Sequence, residues 1–361
     1  MKKYLGKTMI LVAVFAVSTI AHSQVDKVDS AMKELMLKNR IVGLQLAVVK
    51  NNSIVKTAHY GLANIEDSIA VDNETVFSIN SMTKSLTGAA VMQLVEKGQL
   101  KLEDPISKYL DSLPITWQNI TVKQLATHTS GIPDIWERPE QMWSDDSAPL
   151  FNKIKEQAVV FQPGEEQSYN QTNFLLLGKI IEKVSGQSFE KYVIENQFKK
   201  AGMKNSIKAG MGNFFTIIDH SAKPYTYYIN GTLTNIFQPM PKNLYPAGGT
   251  YSTATEMAQW AIALQTNKLI NKESLKTLLA PVTLNDAAIH EGNGFFNQSS
   301  IGFFLATKTS APVVGTFGGA RNALFIYPKD NVTVVVLTNL VGAHPQDFIE
   351  EIAKLYISDK K

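Results

Sequence analysis

Residues 77–100 read FSINSMTKSLTGAAVMQLVEKGQL, and they carry the strongest structural signal in the chain. Ser81 and Lys84 lie three residues apart near the start of this stretch, and residues at i and i+3 are neighbours on a helix surface. The residues that follow are too apolar for an exposed helix, and Gly98 is a typical C-terminal stop. The stretch therefore predicts a buried helix that holds a hydroxyl and an amine side by side.

This pairing of a hydroxyl and an amine favours nucleophilic catalysis. A serine hydroxyl is a weak nucleophile unless a nearby base or positive charge activates it. In the first turn of a helix, Ser81 would also lie among backbone N–H groups that favour a developing anion. The spacing alone is not decisive, because Ser-x-x-Lys occurs five times, beginning at Ser30, Ser53, Ser81, Ser188 and Ser358. The buried helix behind Ser81 distinguishes it from the other four.

The first 23 residues have the parts of a secretory signal peptide. Three lysines precede an apolar run at 9–20 that is too short to span a bilayer, and small residues end the segment at Ser23. We expect cleavage after Ser23, a secreted or periplasmic protein, and no stable membrane anchor once the signal peptide (1–23) is removed. An uncleaved anchor helix is the alternative interpretation of the same segment.

Charge and composition exclude several functional classes. The chain has 35 basic and 32 acidic residues, and the signal segment contains three of the lysines and no acid. The remainder, 24–361, is therefore neutral, which argues against a nucleic-acid partner or a membrane-surface role. The absence of cysteine removes thiol catalysis and disulfides, and the scattered histidines lack metal-ligand spacing. We expect no metal and no cofactor.

The order of predicted elements indicates an α+β fold. A helix at 25–37 precedes two strands at 42–49 and 54–60, and the region from 81 to 290 is mostly helical. Within it, Asn230-Gly231 predicts a hairpin of strands at 225–229 and 232–236. Four more strands and a helix follow, at 301–306, 313–318, 323–327, 332–337 and 345–356.

Strands at both ends of the chain and helices between them predict one domain with two lobes. We expect a single domain over 24–361, with an antiparallel sheet formed from both chain ends and flanked by helices. The sheet lobe would take about 24–80 and 291–361, and an inserted, mostly helical lobe would take about 81–290. The active site is expected between the two lobes.

Five motifs stand in one order along this domain. They are Ser81-Met82-Thr83-Lys84, LATHTSGIPD at 125–134, Tyr169-Asn170-Gln171, PAGGTYS at 246–252 and GTFGG at 315–319. Together they resemble the serine β-lactamase and penicillin-binding-protein superfamily. The resemblance is to its class C-like branch, which contains class C β-lactamases, D-Ala-D-Ala carboxypeptidases and β-lactamase-fold esterases. It covers nearly the whole of 24–361 and implies a β-lactamase-like fold.

The resemblance also implies a role for each matching residue. Ser81 would be the nucleophile, Lys84 and Tyr169 would share the proton transfers, and the backbone N–H groups of Ser81 and Gly319 would hold the oxyanion. Which of Lys84 and Tyr169 is the base stays open. The residues expected to contact substrate are Gln171, Thr316, Phe317, Gly318, Arg321 and Asn339.

Two positions depart from the pattern of the family that the chain resembles. Gln171 stands where that family has asparagine, so the amide is kept on a longer stem. Thr316 stands where the family has a lysine or histidine, and the cation that could bind a substrate carboxylate is missing there. Arg321 is the nearest cation in sequence, and it could either replace the missing charge or face solvent.

The sequence therefore predicts an exported serine hydrolase that forms an acyl-enzyme on an ester, amide or β-lactam carbonyl. Its partners would be small-molecule ester, lactam or peptide substrates, and its oligomeric state is not indicated. The alternative is a catalytically weak relative that binds cell-wall peptides or a partner protein, which Thr316 and Gln171 favour. His128 invites comparison with Ser-His-Asp enzymes, but the chain has no Gly-x-Ser-x-Gly elbow, so a structural role in a loop is expected.

Replacing serines one at a time tests which Ser-x-x-Lys motif is catalytic. Ser81→Ala should abolish turnover and covalent labelling by a fluorophosphonate, because the hydroxyl that forms the acyl-enzyme is gone. The melting temperature should change by only a few degrees. The matched controls Ser30→Ala, Ser53→Ala, Ser188→Ala and Ser358→Ala should keep both properties. Turnover in Ser81→Ala comparable to the parent would contradict the assignment, and ligand binding unaffected by this change would favour the binding protein.

Overall fold

The computed structural model describes residues 27–135, 148–212, 215–237, 240–286 and 294–357. The predicted signal peptide at 1–23 lies outside these residues. Within the described ranges, the strands in chain order are β1 Gly43–Lys50, β2 Ser53–Asn64, β3 Ile69–Ala70, β4 Phe77–Ser78, β5 Tyr225–Thr226, β6 Thr234–Asn235, β7 Tyr251–Ser252, β8 Gln298–Ser299, β9 Phe304–Ala306, β10 Val313–Gly318, β11 Asn322–Tyr327, β12 Val332–Thr338 and β13 Leu340–Val341.

The helices lie mainly between β4 and β8. In chain order they are α1 at 27–38, α2 Thr83–Glu96, α3 Val122–Ala126, α4 Ala148–Lys155, α5 Gln171–Ser185, α6 Phe189–Val193, α7 Lys199–Ala201, α8 Lys204–Ala209, α9 Tyr245–Gly248, α10 Ala254–Gln265, α11 Lys272–Leu278 and α12 Ile349–Lys354. A short 3₁₀ turn, Asn80–Met82, runs directly into α2.

One large antiparallel sheet takes its strands from both ends of the chain. Its eight strands have the order β3-β2-β1-β12-β11-β10-β9-β8, so β1 lies beside β12 in the middle. Two small sheets, β13-β5-β6 and β4-β7, connect the helical insertion to it. The predicted α+β architecture, with a sheet built from both termini and an inserted helical region, is confirmed.

The large sheet separates two hydrophobic cores. In β12 all seven residues are buried, because alternate side chains enter opposite cores. Val335 and Leu337 pack into the core that contains α2 and α10. Val334 and Val336 pack into the core that contains α1 and α12. A strand covered on both faces has no exposed side, which is why its sequence is mostly apolar, with Thr333 and Thr338 as its two polar residues.

Helix α2 lies at the centre of the insertion. Every residue from Thr83 to Leu94 is buried, as expected for a helix that is too apolar to be exposed. The helix ends before Gly98, which adopts the left-handed conformation (φ 68°) that glycine tolerates best. The prediction of a buried helix that begins near Ser81 and stops at Gly98 is confirmed.

Three predicted strands are shorter than expected, and packing explains the one at 301–306 directly. The strand predicted at 301–306 begins only at Phe304. Gly302 has a φ of 74°, and a Cβ there would lie 2.3 Å from the carbonyl oxygen of Lys84. The chain must therefore turn tightly against α2 before it can enter the sheet.

The predicted hairpin at 225–236 is also reduced. Its turn is present, with positive φ at Asn230 and Gly231, but β5 and β6 contain two residues each. On its other side β5 pairs in parallel with β13. The Tyr225 hydroxyl, which donates to Glu66 at 2.5 Å, ties β5 to the loop after β2. Tertiary contacts therefore replace a long local ladder.

Candidate active site

The structure places Ser81 and Lys84 together at the start of α2. Ser81 lies in the 3₁₀ turn that leads into the helix, and the Lys84 Nζ donates a hydrogen bond to the Ser81 Oγ at 3.3 Å. Ser81 remains partly exposed, whereas Lys84 is only 3% exposed. The arrangement predicted from the three-residue spacing is therefore present, with an accessible hydroxyl beside a buried amine.

Three oxygen atoms surround the buried amine. Besides Ser81, the Lys84 Nζ donates to the Gln171 Oε1 at 2.7 Å and to the Ala247 carbonyl at 2.9 Å. A lysine ammonium has three donors and no acceptor, so these three oxygens match it fully. Gln171 thus places its amide on Lys84 despite its longer stem. The site unites α2, the start of α5 and the short helix α9.

Tyr169 lies beside Lys84, on the solvent-exposed side of the site. The Lys84 Nζ lies 4.7 Å from the centroid of the Tyr169 ring, within the range of a cation–π interaction. Tyr169 is 42% exposed, which is unusual for a tyrosine packed against buried groups. The two residues also line the same small pocket as Ser81 and Thr316. All four predicted residues therefore meet around one small space.

A network of polar contacts fixes the position of Tyr169. The loop at 128–135 is bound to the first turn of α5, directly after Tyr169. Asn170 donates to the Ile132 carbonyl at 2.6 Å, and the Gln171 N–H donates to the Asp134 carboxylate at 2.9 Å. The Asn170 side chain also caps α5 by accepting from the Asn173 N–H. The second and third sequence motifs therefore form one structural unit.

His128 belongs to this unit as a neutral side chain. Its ring is buried between Tyr169 and Phe174, with centroids 4.8 and 5.1 Å away. Burial, together with the nearby Lys84 charge, lowers the pKa of His128 to about 3. Its Nδ1 accepts from the Asn170 N–H at 3.1 Å, and this hydrogen bond assigns the remaining ring proton to Nε2. His128 lines the Ser81 pocket without a free lone pair.

The end of β10 passes directly against the Ser81 turn. A Cβ at Gly318 would lie 2.7 Å from the Ser81 backbone nitrogen, so only glycine fits there. Gly319 follows with a φ of 60°, and a Cβ on it would lie 2.4 Å from the Asn80 Oδ1. The two predicted oxyanion donors, on Ser81 and Gly319, are therefore carried by adjoining backbone segments.

The other predicted substrate residues fall into two groups. Thr316 lines the pocket, and Phe317 lies at its edge, stacked on Phe304 with centroids 4.5 Å apart. Arg321, by contrast, is 4% exposed and donates from Nε to the Asn80 Oδ1 at 2.9 Å. It lines a neighbouring cavity of about 280 Å³ beyond Asn80 and is absent from the lining of the Ser81 pocket.

Asn339 binds backbone groups of the sheet. Its Oδ1 accepts from the Gly43 N–H at 2.8 Å, and its Nδ2 donates to the Leu62 carbonyl at 2.9 Å. It is 2% exposed, and both ends of its amide are engaged. The structure therefore brings Ser81, Lys84, Tyr169, Gln171 and Thr316 together and places Arg321 and Asn339 in supporting positions.

Three further groups of the site were not predicted individually. The Ala247 carbonyl binds Lys84, Asn80 positions the turn before Ser81, and Phe304 lines the pocket. Ala247 lies in the glycine-rich motif at 246–252, but a backbone carbonyl has no residue signature of its own. The position of Asn80 directly before Ser81 was the one available signal for its role.

Within the described ranges, no cluster of three or more acidic, histidine or cysteine residues could hold a metal ion. In the same part of the chain, no helix is long and apolar enough to cross a membrane.

The fold and the serine–lysine–tyrosine site define a protein of the serine hydrolase superfamily that includes β-lactamases and penicillin-binding proteins. A family model described as Beta-lactamase matches residues 28–357, and the chain belongs to this family. The chain is similar to the putative penicillin-binding protein PbpX of Bacillus subtilis (strain 168). The two are 30% identical over 321 residues, which cover 89% of this chain and 74% of that protein.

Solved structures agree with this assignment. The fold is similar to that of a penicillin-binding protein from Bacillus halodurans, with a TM-score of 0.73, 29% identity, and coverage of 90% of this chain and 98% of that one. It is also similar to an octameric penicillin-binding protein homologue from Pyrococcus abyssi. There the TM-score is 0.77 and the identity 26%, over 91% of this chain and 76% of that one.

The buried neutral state of His128 predicts a specific pH dependence of stability. The folded-state pKa of about 3 lies below the unfolded value of about 6.5, so acid favours the unfolded chain. The free energy of unfolding should fall as pH drops below about 6.5, by roughly 1.4 kcal/mol per pH unit from this group, until about pH 3. Denaturant unfolding of the parent and His128→Gln between pH 7 and 4 measures this difference in slope.

His59→Gln, a change at an exposed histidine, is the control for this experiment and should follow the parent. If the curves of the parent and His128→Gln run parallel between pH 6 and 4, the neutral assignment of His128 is wrong.

Proposed function

We propose that this chain is an exported serine hydrolase that cleaves small uncharged esters or amides through an acyl-enzyme on Ser81. The observation that carries the proposal is the contact of the buried Lys84 Nζ with the Ser81 Oγ at 3.3 Å, in a pocket shared with Tyr169. Membership of the Beta-lactamase family supports acyl transfer as the reaction class. Export rests on the signal-peptide pattern of residues 1–23.

The reaction proceeds in two balanced steps. The Ser81 Oγ attacks the substrate carbonyl carbon and gives up its proton to the base. The tetrahedral intermediate then expels the leaving oxygen or nitrogen, which takes a proton from the same group, and an ester on Ser81 remains. Water attacks this ester, the acid is released, and the proton returns to Ser81. No redox change occurs, and water is the only co-reactant.

The contacts favour Tyr169 as the group that takes the proton. Lys84 in its ammonium form directs all three donors to oxygen atoms and has no lone pair to accept one. His128 is excluded because its Nδ1 is occupied and its Nε2 carries the proton. Tyr169 is the remaining acid–base side chain among the described residues that line the pocket, and its phenol oxygen can accept and return a proton.

The oxyanion of the intermediate is assigned to the backbone N–H groups of Ser81 and Gly319. Ser81 lies in the first turn of a helix, where N–H groups have no partner within the helix and the dipole favours negative charge. The close fit of Gly318 against this turn brings Gly319 to the same place. Donors held rigidly by backbone need no reorganisation during the reaction, which is the basis of this type of catalysis.

The preference for uncharged substrates follows from the charges around the pocket. Among the described residues that line it, Lys84 is the only cation, and its donors are engaged within the protein. Thr316 contributes a hydroxyl at the position where the class C-like branch has a lysine or a histidine. Arg321 is engaged with Asn80 behind the turn. A substrate carboxylate would therefore meet neutral donors, which bind it more weakly than a charged donor does.

Removal of the phenol of Tyr169 tests the proposed base. Tyr169→Phe keeps the ring and its cation–π contact with Lys84 but removes the proton acceptor. We expect kcat to fall by about 10²- to 10⁴-fold, the usual contribution of a general acid–base group. Lys84→Met should be at least as severe. Tyr228→Phe, a change at an exposed tyrosine, is the control, and retention of most activity in Tyr169→Phe would leave Lys84 or a water as the base.

A substrate panel tests the proposed function itself. A small uncharged ester should have a higher kcat/KM than nitrocefin or a D-Ala-D-Ala peptide, both of which carry a carboxylate. Thr316→Lys should shift the ratio of the kcat/KM values toward the carboxylate substrates by about tenfold, since a charged donor adds on the order of 1–2 kcal/mol.

Arg321→Ala should lower all activities alike, because it loosens the turn that carries Ser81. A loss confined to the carboxylate substrates would show that Arg321 supplies the missing cation.

A further inference from the structure

A row of aromatic rings leads out of the Ser81 pocket along one side of the cleft. Tyr169 comes first, and its ring centroid lies 6.3 Å from that of Phe304, which also lines the pocket. Phe304 stacks on Phe317 at 4.5 Å with an interplanar angle of 17°. Phe296 closes the row, 5.6 Å from Phe317. Phe317 and Phe296 also pack against the core that contains α1 and α12, so Tyr169 and Phe304 are the two rings of the row that line the pocket.

The strand pairing leaves this surface open. β9 pairs with β10 only as far as the Phe304–Gly315 pair. Beyond that pair, 316–318 have β11 on one side and, within the described part of the chain, no strand on the other. Gly315 makes room for the rings, because a Cβ there would lie 2.2 Å from the Phe296 ring. Phe304 thus lies where β9 leaves β10, and it lines the Ser81 pocket there.

Three of these rings are more exposed to solvent than the core residue that precedes Phe304 in sequence. Tyr169 is 42% exposed, and Phe304 and Phe317 are partly exposed. Phe303, the adjacent residue in sequence, is 2% exposed and packs in the core. Exposed aromatic surface that is ordered by ring stacking and adjoins a nucleophile is well placed to contact substrate.

Tyr169 identifies which part of a substrate would lie on this surface. The group that donates a proton to the leaving oxygen or nitrogen must be within hydrogen-bond reach of it. The leaving group therefore departs on the Tyr169 side of the scissile carbonyl. Phe304 is the next ring in that direction, and the row continues from it to Phe317.

We propose that Phe304, flanked by Tyr169 and Phe317, is a specificity-determining platform for a flat aromatic leaving group of the ester or amide substrate. This inference rests on the proposed function and adds the chemical class of the group that Ser81 displaces. The aromatic rings of protein and substrate would stack, and stacking adds to the burial of apolar area by an amount that corresponds to about two- to tenfold in rate.

Two acetate esters separate aromatic recognition from size and reactivity. Benzyl acetate and cyclohexylmethyl acetate share the acyl group, and their leaving alcohols are similar in size and acidity. The parent should hydrolyse benzyl acetate with a kcat/KM about three- to tenfold higher. In Phe304→Leu this ratio should fall toward one. Phe215→Leu is the matched control and should keep the parent's ratio, because Phe215 is 51% exposed and lines a different cavity, with Phe189 and Tyr245.

A ratio of one or less in the parent overturns the inference, as does an unchanged ratio in Phe304→Leu. If Phe304→Leu does not fold, judged by circular dichroism and by fluorophosphonate labelling of Ser81, Phe317→Leu takes its place with the same expectation. The outcomes also separate the two proposals. Hydrolysis that is lost in Ser81→Ala but shows no aromatic preference overturns only the platform. No Ser81-dependent hydrolysis of either ester overturns the proposed function as well.

Discussion

The burial of the Lys84 ammonium is the constraint on which the rest of the site depends. A buried charge without partners is costly, so the fold must bring oxygen acceptors to it. Those acceptors come from three segments far apart in sequence: Ser81 within the same turn, Gln171 at the start of α5, and Ala247 in α9. The contacts that stabilise the buried charge are therefore the same contacts that assemble the active site.

Close backbone contacts join the segment that carries Ser81 and Lys84 to the large sheet. Gly318 lies against the Ser81 turn, and Gly302 lies against the Lys84 carbonyl, where no larger residue fits. Asn80 takes a left-handed conformation (φ 49°), which asparagine tolerates better than most residues, and Arg321 binds its side chain. Strained backbone of this kind persists where its surroundings hold it and is concentrated at functional sites. The nucleophile is thus held from both lobes.

The distribution of charge and aromatic surface gives the cleft its chemical character. The pocket's cation is directed to groups inside the protein, and the surface that continues from it is formed by Phe304, Phe317 and Phe296. Arg321, for which the sequence left open a role toward substrate or a position in solvent, is instead buried against Asn80. This composition is the basis of the proposed preference for neutral and apolar substrate groups over anionic ones.

The sequence by itself determined the elements whose signal is local. Helix α2 could be predicted because its sequence is too apolar for an exposed helix, and β10 to β12 because short runs rich in β-branched and aromatic residues form strands. The pairing of Ser81 with Lys84 follows from helix geometry alone. The order of the motifs then indicated the family and, through it, Tyr169 and Gln171.

Only the tertiary structure decided which groups meet across the chain. The Ala247 carbonyl, the orientation of Arg321 and the exposed position of Phe304 depend on contacts between distant segments. Asn339 illustrates the point: a substrate role was expected, yet its amide joins the backbones of Gly43 and Leu62. Short local strands were predicted too long for the same reason, because packing against α2 or β13 outweighed local propensity. The sequence identifies the chemical groups of a residue, but tertiary packing determines which other groups they contact.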